Sequence, residues 1–182
     1  MNTVEPIRDT KKIAEIKNYL LHQNHARGRR NCFLFVLGIN TGARVSDMLS
    51  FKVKNVLDSV LEYSESKTKK TKRFPINEQL RIEIEQYTEG MRAEDFLFPS
   101  KKGGRISRIQ AYNILSAAGR AVGLEKIGTH TMRKTFGYHH YKRFKDVALL
   151  QEIFNHSSQS VTLRYIGIAQ DDIDATLKDF YL

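Results

Sequence analysis

Arg30-Asn31-Cys32-Phe33-Leu34-Phe35-Val36-Leu37-Gly38-Ile39-Asn40-Thr41-Gly42-Ala43-Arg44 is the stretch that decides the fold. Residues 30–40 are apolar nearly all round, which predicts a helix buried on every side at the centre of a helical core. Thr41-Gly42 stops it, and a short helix over about residues 44–51 follows. Upstream, Gly28-Arg29-Arg30 reads as a turn. Before that, residues 9–23 read as a helix capped by Asp9 or Thr10, with Ile13, Ile16, Tyr19 and Leu20 on one face.

Downstream the pattern changes. Asn55-Val56-Leu57, Val60-Leu61-Glu62-Tyr63 and Arg73-Phe74-Pro75-Ile76 alternate apolar and polar residues, predicting two or three short antiparallel strands. Pro75 then needs a strand end or an edge. A helix carrying Leu80, Ile82, Ile84 and Tyr87 comes next, then the apolar anchor Phe96-Leu97-Phe98-Pro99 and the basic turn Lys101-Lys102-Gly103-Gly104-Arg105. Further helices are expected from Ser107 to about Val122, from Thr129 to about Phe144, over 146–154, from Ser158 towards Tyr165, and from Asp171 to Phe180. The expected fold class is therefore mostly α with a small antiparallel β-sheet (α+β).

A chain of 182 residues with 41% hydrophobic residues suffices for one domain with a real core. A formal net charge of +10 points to a polyanion, nucleic acid first and an acidic membrane surface second. The single cysteine, Cys32, lies in the apolar run and can form no internal disulfide. No Cys/His cluster has zinc spacing, so neither a metal nor a cofactor is expected. Met1-Asn2-Thr3-Val4-Glu5 lacks a signal pattern, and the run from Cys32 is too short to span a bilayer. A cytoplasmic protein without a membrane partner is expected.

Candidate site residues are dispersed along this basic chain. Arg44 follows the Thr-Gly break, and its planar fork suits two phosphate oxygens at once. Asp47 lies one helical turn on and is expected to orient it. Lys67-Thr68-Lys69-Lys70-Thr71-Lys72-Arg73 makes a cationic hairpin tip. His130 and Arg133 share a helix face just inside an N-terminus capped by Thr129 or Thr131, where the partial positive charge favours a phosphate. His156 closes a helix behind Asn155, and Tyr165 follows in Thr162-Leu163-Arg164-Tyr165-Ile166. Singly, each also fits an ordinary surface or packing side chain. Together they are the groups that hold a phosphodiester and attack it without a metal. Two arginines beside a phenol would favour phenolate. His139 and His140 read as structural or surface residues.

In order and spacing, Arg44, Lys67, His130, Arg133, His156 and Tyr165 resemble the catalytic set of the tyrosine recombinases, the phage integrase family, over roughly residues 9–181. The resemblance extends to Phe74-Pro75-Ile76 after the hairpin. It departs at Phe154-Asn155, where the family often has Leu-Gly before the histidine; asparagine tolerates the same left-handed backbone. The hairpin lysine is assigned to Lys67, with Lys69 the alternative.

The resemblance implies a catalytic domain over 9–182 behind a polar leader, 1–8. It implies that core-binding and arm-binding domains are absent from this chain, making it a catalytic fragment or a naturally minimal recombinase. It implies that Tyr165 attacks double-stranded DNA to form a 3′-phosphotyrosyl link. Arg44 and Arg133 would bind the nonbridging oxygens, His130 and His156 would handle protons, and Lys67 would protonate the leaving oxygen. Other protomers on DNA are implied partners, reached in trans by the C-terminal segment with its stripe of Ile173, Leu177 and Phe180 or Tyr181. Two alternatives are type IB topoisomerase-like relaxation and a catalytically idle DNA-binding module.

Overall fold

Helix α2 (His25–Thr41) runs through the middle of the computed structural model. Residues 4–23, 25–178 and 180–181 are described, with His25, Gln170, Asp172, Ile173 and Thr176 as backbone only. Cys32 to Leu37 of α2 are all buried, and Leu34 and Leu37 are wholly inaccessible. Each such side chain contributes roughly 1.5–3 kcal/mol of burial free energy.

The expected turn at Gly28-Arg29-Arg30 is instead part of α2. Gly28 is there for proximity. A Cβ on it would lie 2.7 Å from the Leu21 carbonyl and 2.9 Å from that of Leu20, so only glycine lets α2 start against the end of helix α1 (Thr10–Leu21). Asp9 caps α1 by accepting from Lys11 N, and Ile16 and Leu20 face the core.

After α2 comes the short helix α3 (Val45–Met48), then a 3-10 turn over Val53–Val56. The strand expected near Asn55 does not form. The Asn55 side-chain oxygen accepts from Lys52 N at 2.7 Å and draws the chain into that turn. Strands β1 (Val60–Ser64) and β2 (Thr71–Pro75) make the two-stranded antiparallel sheet, with Leu61 opposite Phe74 and Pro75 at the strand end opposite Val60. Helix α4 (Glu78–Thr88) is capped by Asn77. Leu97 and Phe98 anchor the following loop at 0% exposure.

Helix α5 (Arg108–Ala121) carries a Ser107–Gln110 capping box. Helix α6 (Thr129–Phe144) crosses α2 where a Cβ on Gly38 would meet Met132 Sδ at 2.5 Å. Asp146 caps α7 (Val147–Phe154), Ser158 caps α8 (Gln159–Ile166), and α9 (Ile168–Lys178) follows. Leu150, Phe154, Ile166 and Ile168 form a second, smaller core with Phe136 and Tyr165 against it. Helix α6 thus lies between two cores, Met132 in one and Phe136 beside the other.

Residues 5–8 lie against this body. Ile7 is 2% exposed and its amide donates to Thr135 Oγ1 at 2.9 Å. Arg8 pairs with Asp171 of α9 at 2.9 Å.

Candidate active site

Gly42 ends α2 with φ +62°, and a Cβ there would strike Phe136 at 2.5 Å. The reversal turns the chain so that Arg44 becomes the N-cap residue of α3. The Arg44 side chain is 19% exposed and ion-pairs with Glu65, which is completely buried. Asp47, expected as the orienting acid, is itself buried and accepts from Ser66 N at 3.0 Å. It tethers the loop after β1, and the carboxylate on Arg44 is Glu65.

Glu65 was legible in one respect. It continues the alternation in which Leu61 and Tyr63 face inward, so a charge there needs a partner inside.

At the start of α6 the cap residue is Gly128, not a threonine. The Thr131 hydroxyl accepts the Gly128 amide at 3.1 Å. Arg133, 4% exposed, donates through Nη1 to the Gly42 carbonyl at 2.5 Å and through Nη2 to the Phe154 carbonyl at 3.0 Å. Its guanidinium lies over the Phe154 ring, 4.3 Å from the centroid. Burial lowers its proton affinity, but an arginine stays charged. Among the described residues no carboxylate pairs with it, so an anion would complete its neutralisation.

Asn155 ends α7 in the left-handed region, φ 54°, as its type allows. His156 then turns Nδ1 to within 3.1 Å of Thr162 Oγ1. The Tyr165 ring packs edge-on against His156 at 5.0 Å and Phe154 at 5.6 Å, with Lys134 Nζ 5.2 Å from its centroid. The Tyr165 hydroxyl is 3.3 Å from His130 Nδ1.

Burial is the largest cause of the lowered proton affinity of His130 and His156, reinforced by the charges of Arg133 and Arg44. Both rings are therefore neutral at neutral pH and able to accept a proton. Burial also raises the Tyr165 phenol above its ordinary value, and Arg133 and Arg44 offset only part of that. The arginines do favour phenolate, as expected, but they do not decide the net shift in the DNA-free chain. Desolvation of the anion outweighs their field, and the phenol stays protonated.

The fold thus packs Arg133, His156 and Tyr165 on Phe154, brings His130 to the Tyr165 hydroxyl, and sets Arg44 close enough for its charge to act on all four. Lys67 is exposed in the loop between the strands, in no hydrogen bond or ion pair among the described residues. Lys69, the alternative, is exposed with φ 59°. Two other lysines hold the hairpin down. Lys70 Nζ donates to Asn155 Oδ1 at 2.7 Å, and Lys72 Nζ donates to the Ile153 carbonyl at 2.8 Å. Sequence reasoning missed Lys72, whose role as a cation on a helix C-terminus depends on a segment far along the chain. His139 Nε2 lies 2.9 Å from the Ile7 carbonyl, a structural contact as expected.

Among the described residues, no cluster of three or more His, Cys, Asp or Glu side chains could hold a metal ion. Among them, too, no helix is long and apolar enough to cross a membrane.

The sequence matches the profile of the phage integrase family over residues 9–171. It is 52% identical over 182 residues to the probable integrase/recombinase YoeC of Bacillus subtilis, covering 99% of this chain and 98% of that one. It is 29% identical to the tyrosine recombinase XerD of Chlorobaculum tepidum over 78% of this chain, but spans only 49% of that protein. The fold matches the XerH site-specific recombinase in a post-cleavage complex with palindromic difH substrate. The TM-score is 0.75 at 18% identity, over 98% of this chain and 54% of the other. The chain therefore spans nearly all of one relative and about half of the others.

Proposed function

The chain belongs to the phage integrase family, and from that membership we propose that it performs site-specific DNA recombination, with residues 9–182 as its catalytic domain. The observation that carries the reading is the Tyr165 hydroxyl 3.3 Å from a neutral His130, in the field of Arg133 and Arg44.

In the proposed reaction Arg44 and Arg133 hold the nonbridging oxygens of one DNA phosphate. Arg133 is fixed from behind by two carbonyls, so its orientation precedes the substrate. The Tyr165 oxygen attacks phosphorus and its proton passes to His130. The bond from phosphorus to the 5′ oxygen breaks as the bond to tyrosine forms. Lys67, on its exposed loop, protonates the departing oxygen to give a 5′-hydroxyl. His156, held by Thr162, donates to the phosphate. The phosphotyrosyl link conserves the bond for recapture by a second 5′-hydroxyl, so no external energy is consumed. The positive net charge of +10 supplies general attraction to the duplex. We place this action in the cytoplasm, with further protomers assembling on the DNA.

Incubation with a nicked suicide DNA, followed by a denaturing gel, tests the reading. A covalent protein–DNA adduct is expected. Its absence under conditions of full DNA binding would leave only a binding module. Transfer of the attached strand to a new partner distinguishes recombination from simple relaxation.

A further inference from the structure

The residues proposed for chemistry leave one buried charge unused. Glu65 follows β1, is completely buried, and spends its two oxygens in different places. One pairs with the Arg44 guanidinium. The other accepts from Thr68 Oγ1 at 2.6 Å. Its backbone closes the same loop from both sides. Glu65 N donates to the Lys70 carbonyl and Lys69 N donates to the Glu65 carbonyl, each at 2.9 Å. Lys67 lies inside the loop so closed. Asp47 adds a second tether from α3 by accepting from Ser66 N at 3.0 Å.

The geometry points to Glu65 as a positioning residue for strand cleavage, one buried carboxylate that sets both the Arg44 fork and the loop carrying Lys67. This rests on the roles given above to Arg44 and Lys67. A carboxylate out of water is costly unless it is paired. The loop therefore cannot lift away from α3 without stripping Glu65 of Arg44 and Asp47 of the Ser66 amide. The consequence is coupling. Arg44 keeps other donors of its fork for a phosphate oxygen, while the lysine that serves the leaving oxygen is tethered at the root of its loop and free at its tip. Phosphate capture and leaving-group protonation then share one anchor.

Single-turnover cleavage at saturating DNA tests this with two suicide substrates. One carries an ordinary phosphate. The other carries sulfur in place of the bridging 5′ oxygen, so that the phosphorus–sulfur bond breaks and the leaving group departs as a thiolate that needs no proton. Glu65→Gln is expected to slow ordinary cleavage about 10- to 100-fold at unchanged DNA affinity, and the sulfur substrate should restore much of that loss, as it should for Lys67→Ala. Glu65→Asp, which keeps the charge with a shorter reach, should fall between wild type and Glu65→Gln. Thr68→Val, which removes the Thr68 contacts to Glu65 and the Lys70 amide and leaves the Arg44 pair in place, should repeat the sulfur rescue in milder form. Should Glu65→Gln fail to fold, Thr68→Val decides by the same comparison. Wild-type cleavage by the variant tested, or a loss that sulfur relieves no better than it relieves Arg44→Lys, overturns the inference. If Arg44→Lys and Lys67→Ala themselves cleave normally, the reading of the site falls and this inference falls with it.

Discussion

Arg133 reaches across 91 positions of sequence to donate to the carbonyl of Gly42 at 2.5 Å. The arginine inside α6 and the glycine that turns the chain into Arg44 are therefore one mechanical unit. Its other end is Phe154, whose carbonyl takes the second donor and whose ring lies under the guanidinium.

Gly42→Ala should be destabilising even though it adds one methyl. The left-handed backbone costs an alanine about 1–2 kcal/mol, and the new Cβ would lie 2.5 Å from Phe136. Thermal unfolding should show a midpoint several degrees lower, at about 2–4 °C per kcal/mol for a chain of this size. An unchanged midpoint would mean that the turn relaxes freely.

Arg44→Lys and Arg133→Lys should each lower cleavage by about 3–4 kcal/mol in activation free energy, because lysine keeps the charge and loses the fork. Their stabilities should differ. Arg133→Lys strands the Gly42 or the Phe154 carbonyl, worth about 1–3 kcal/mol for each acceptor left unpaired. Arg44→Lys can still pair with Glu65. Cleavage kinetics and denaturation on the same two proteins check both statements. Near-normal cleavage by either variant would remove that arginine from the catalytic set.

Tyr165→Phe should abolish the covalent adduct and leave DNA affinity and stability nearly unchanged, since only the attacking oxygen is removed. Its hydroxyl lies 3.3 Å from His130 and interacts with the Arg133 side chain. An adduct that persists and maps to another tyrosine, such as Tyr181, would sink the assignment.

The pH dependence has a defined sign. His130 and His156 bind protons less readily in the folded chain than in the unfolded one. As pH falls below the ordinary imidazole value of about 6.5, the unfolded state takes up more protons and stability declines until the lowered folded values are passed. Cleavage at sub-saturating DNA reports the free enzyme, so its acid limb should lie below about pH 6.5. An acid limb above that point would contradict the role of a neutral His130 as proton acceptor.

Deleting residues 171–182 should leave single-site DNA binding intact and impair the assembly of paired sites. Within the chain the deletion breaks the partly exposed Arg8–Asp171 ion pair, worth about 0–1 kcal/mol. Leu177, Phe180 and Tyr181 are 62%, 64% and 96% exposed. Ile173, expected in the same stripe, lies outside the described side chains. Native gels with two-site DNA give the answer, and a truncated chain that still forms the higher-order complex at wild-type concentration would rule out an assembly role.

What could be read from the sequence was what neighbours in sequence decide. Asp9, Ser107, Asp146 and Ser158 cap helices because a side-chain oxygen reaches an amide two or three residues on. The run from Cys32 to Leu37 had to be interior, since no face of it could meet water. Asn155 could replace a glycine because its own backbone tolerates a positive φ. Even the order of the six candidate residues is a property of the string.

Tertiary structure alone decided who meets whom. The carboxylate for Arg44 came from Glu65 rather than Asp47, because α3 and the end of β1 meet only in the folded chain. Gly28 belonged to a helix because the end of α1 lies against it, at a distance no local rule contains. The Tyr165 phenol stayed protonated because desolvation depends on everything packed around a group, whereas the favourable charges could be counted in advance. Capping and alternation act over a few residues, while ion pairing and burial act through space, and only the fold assigns that space.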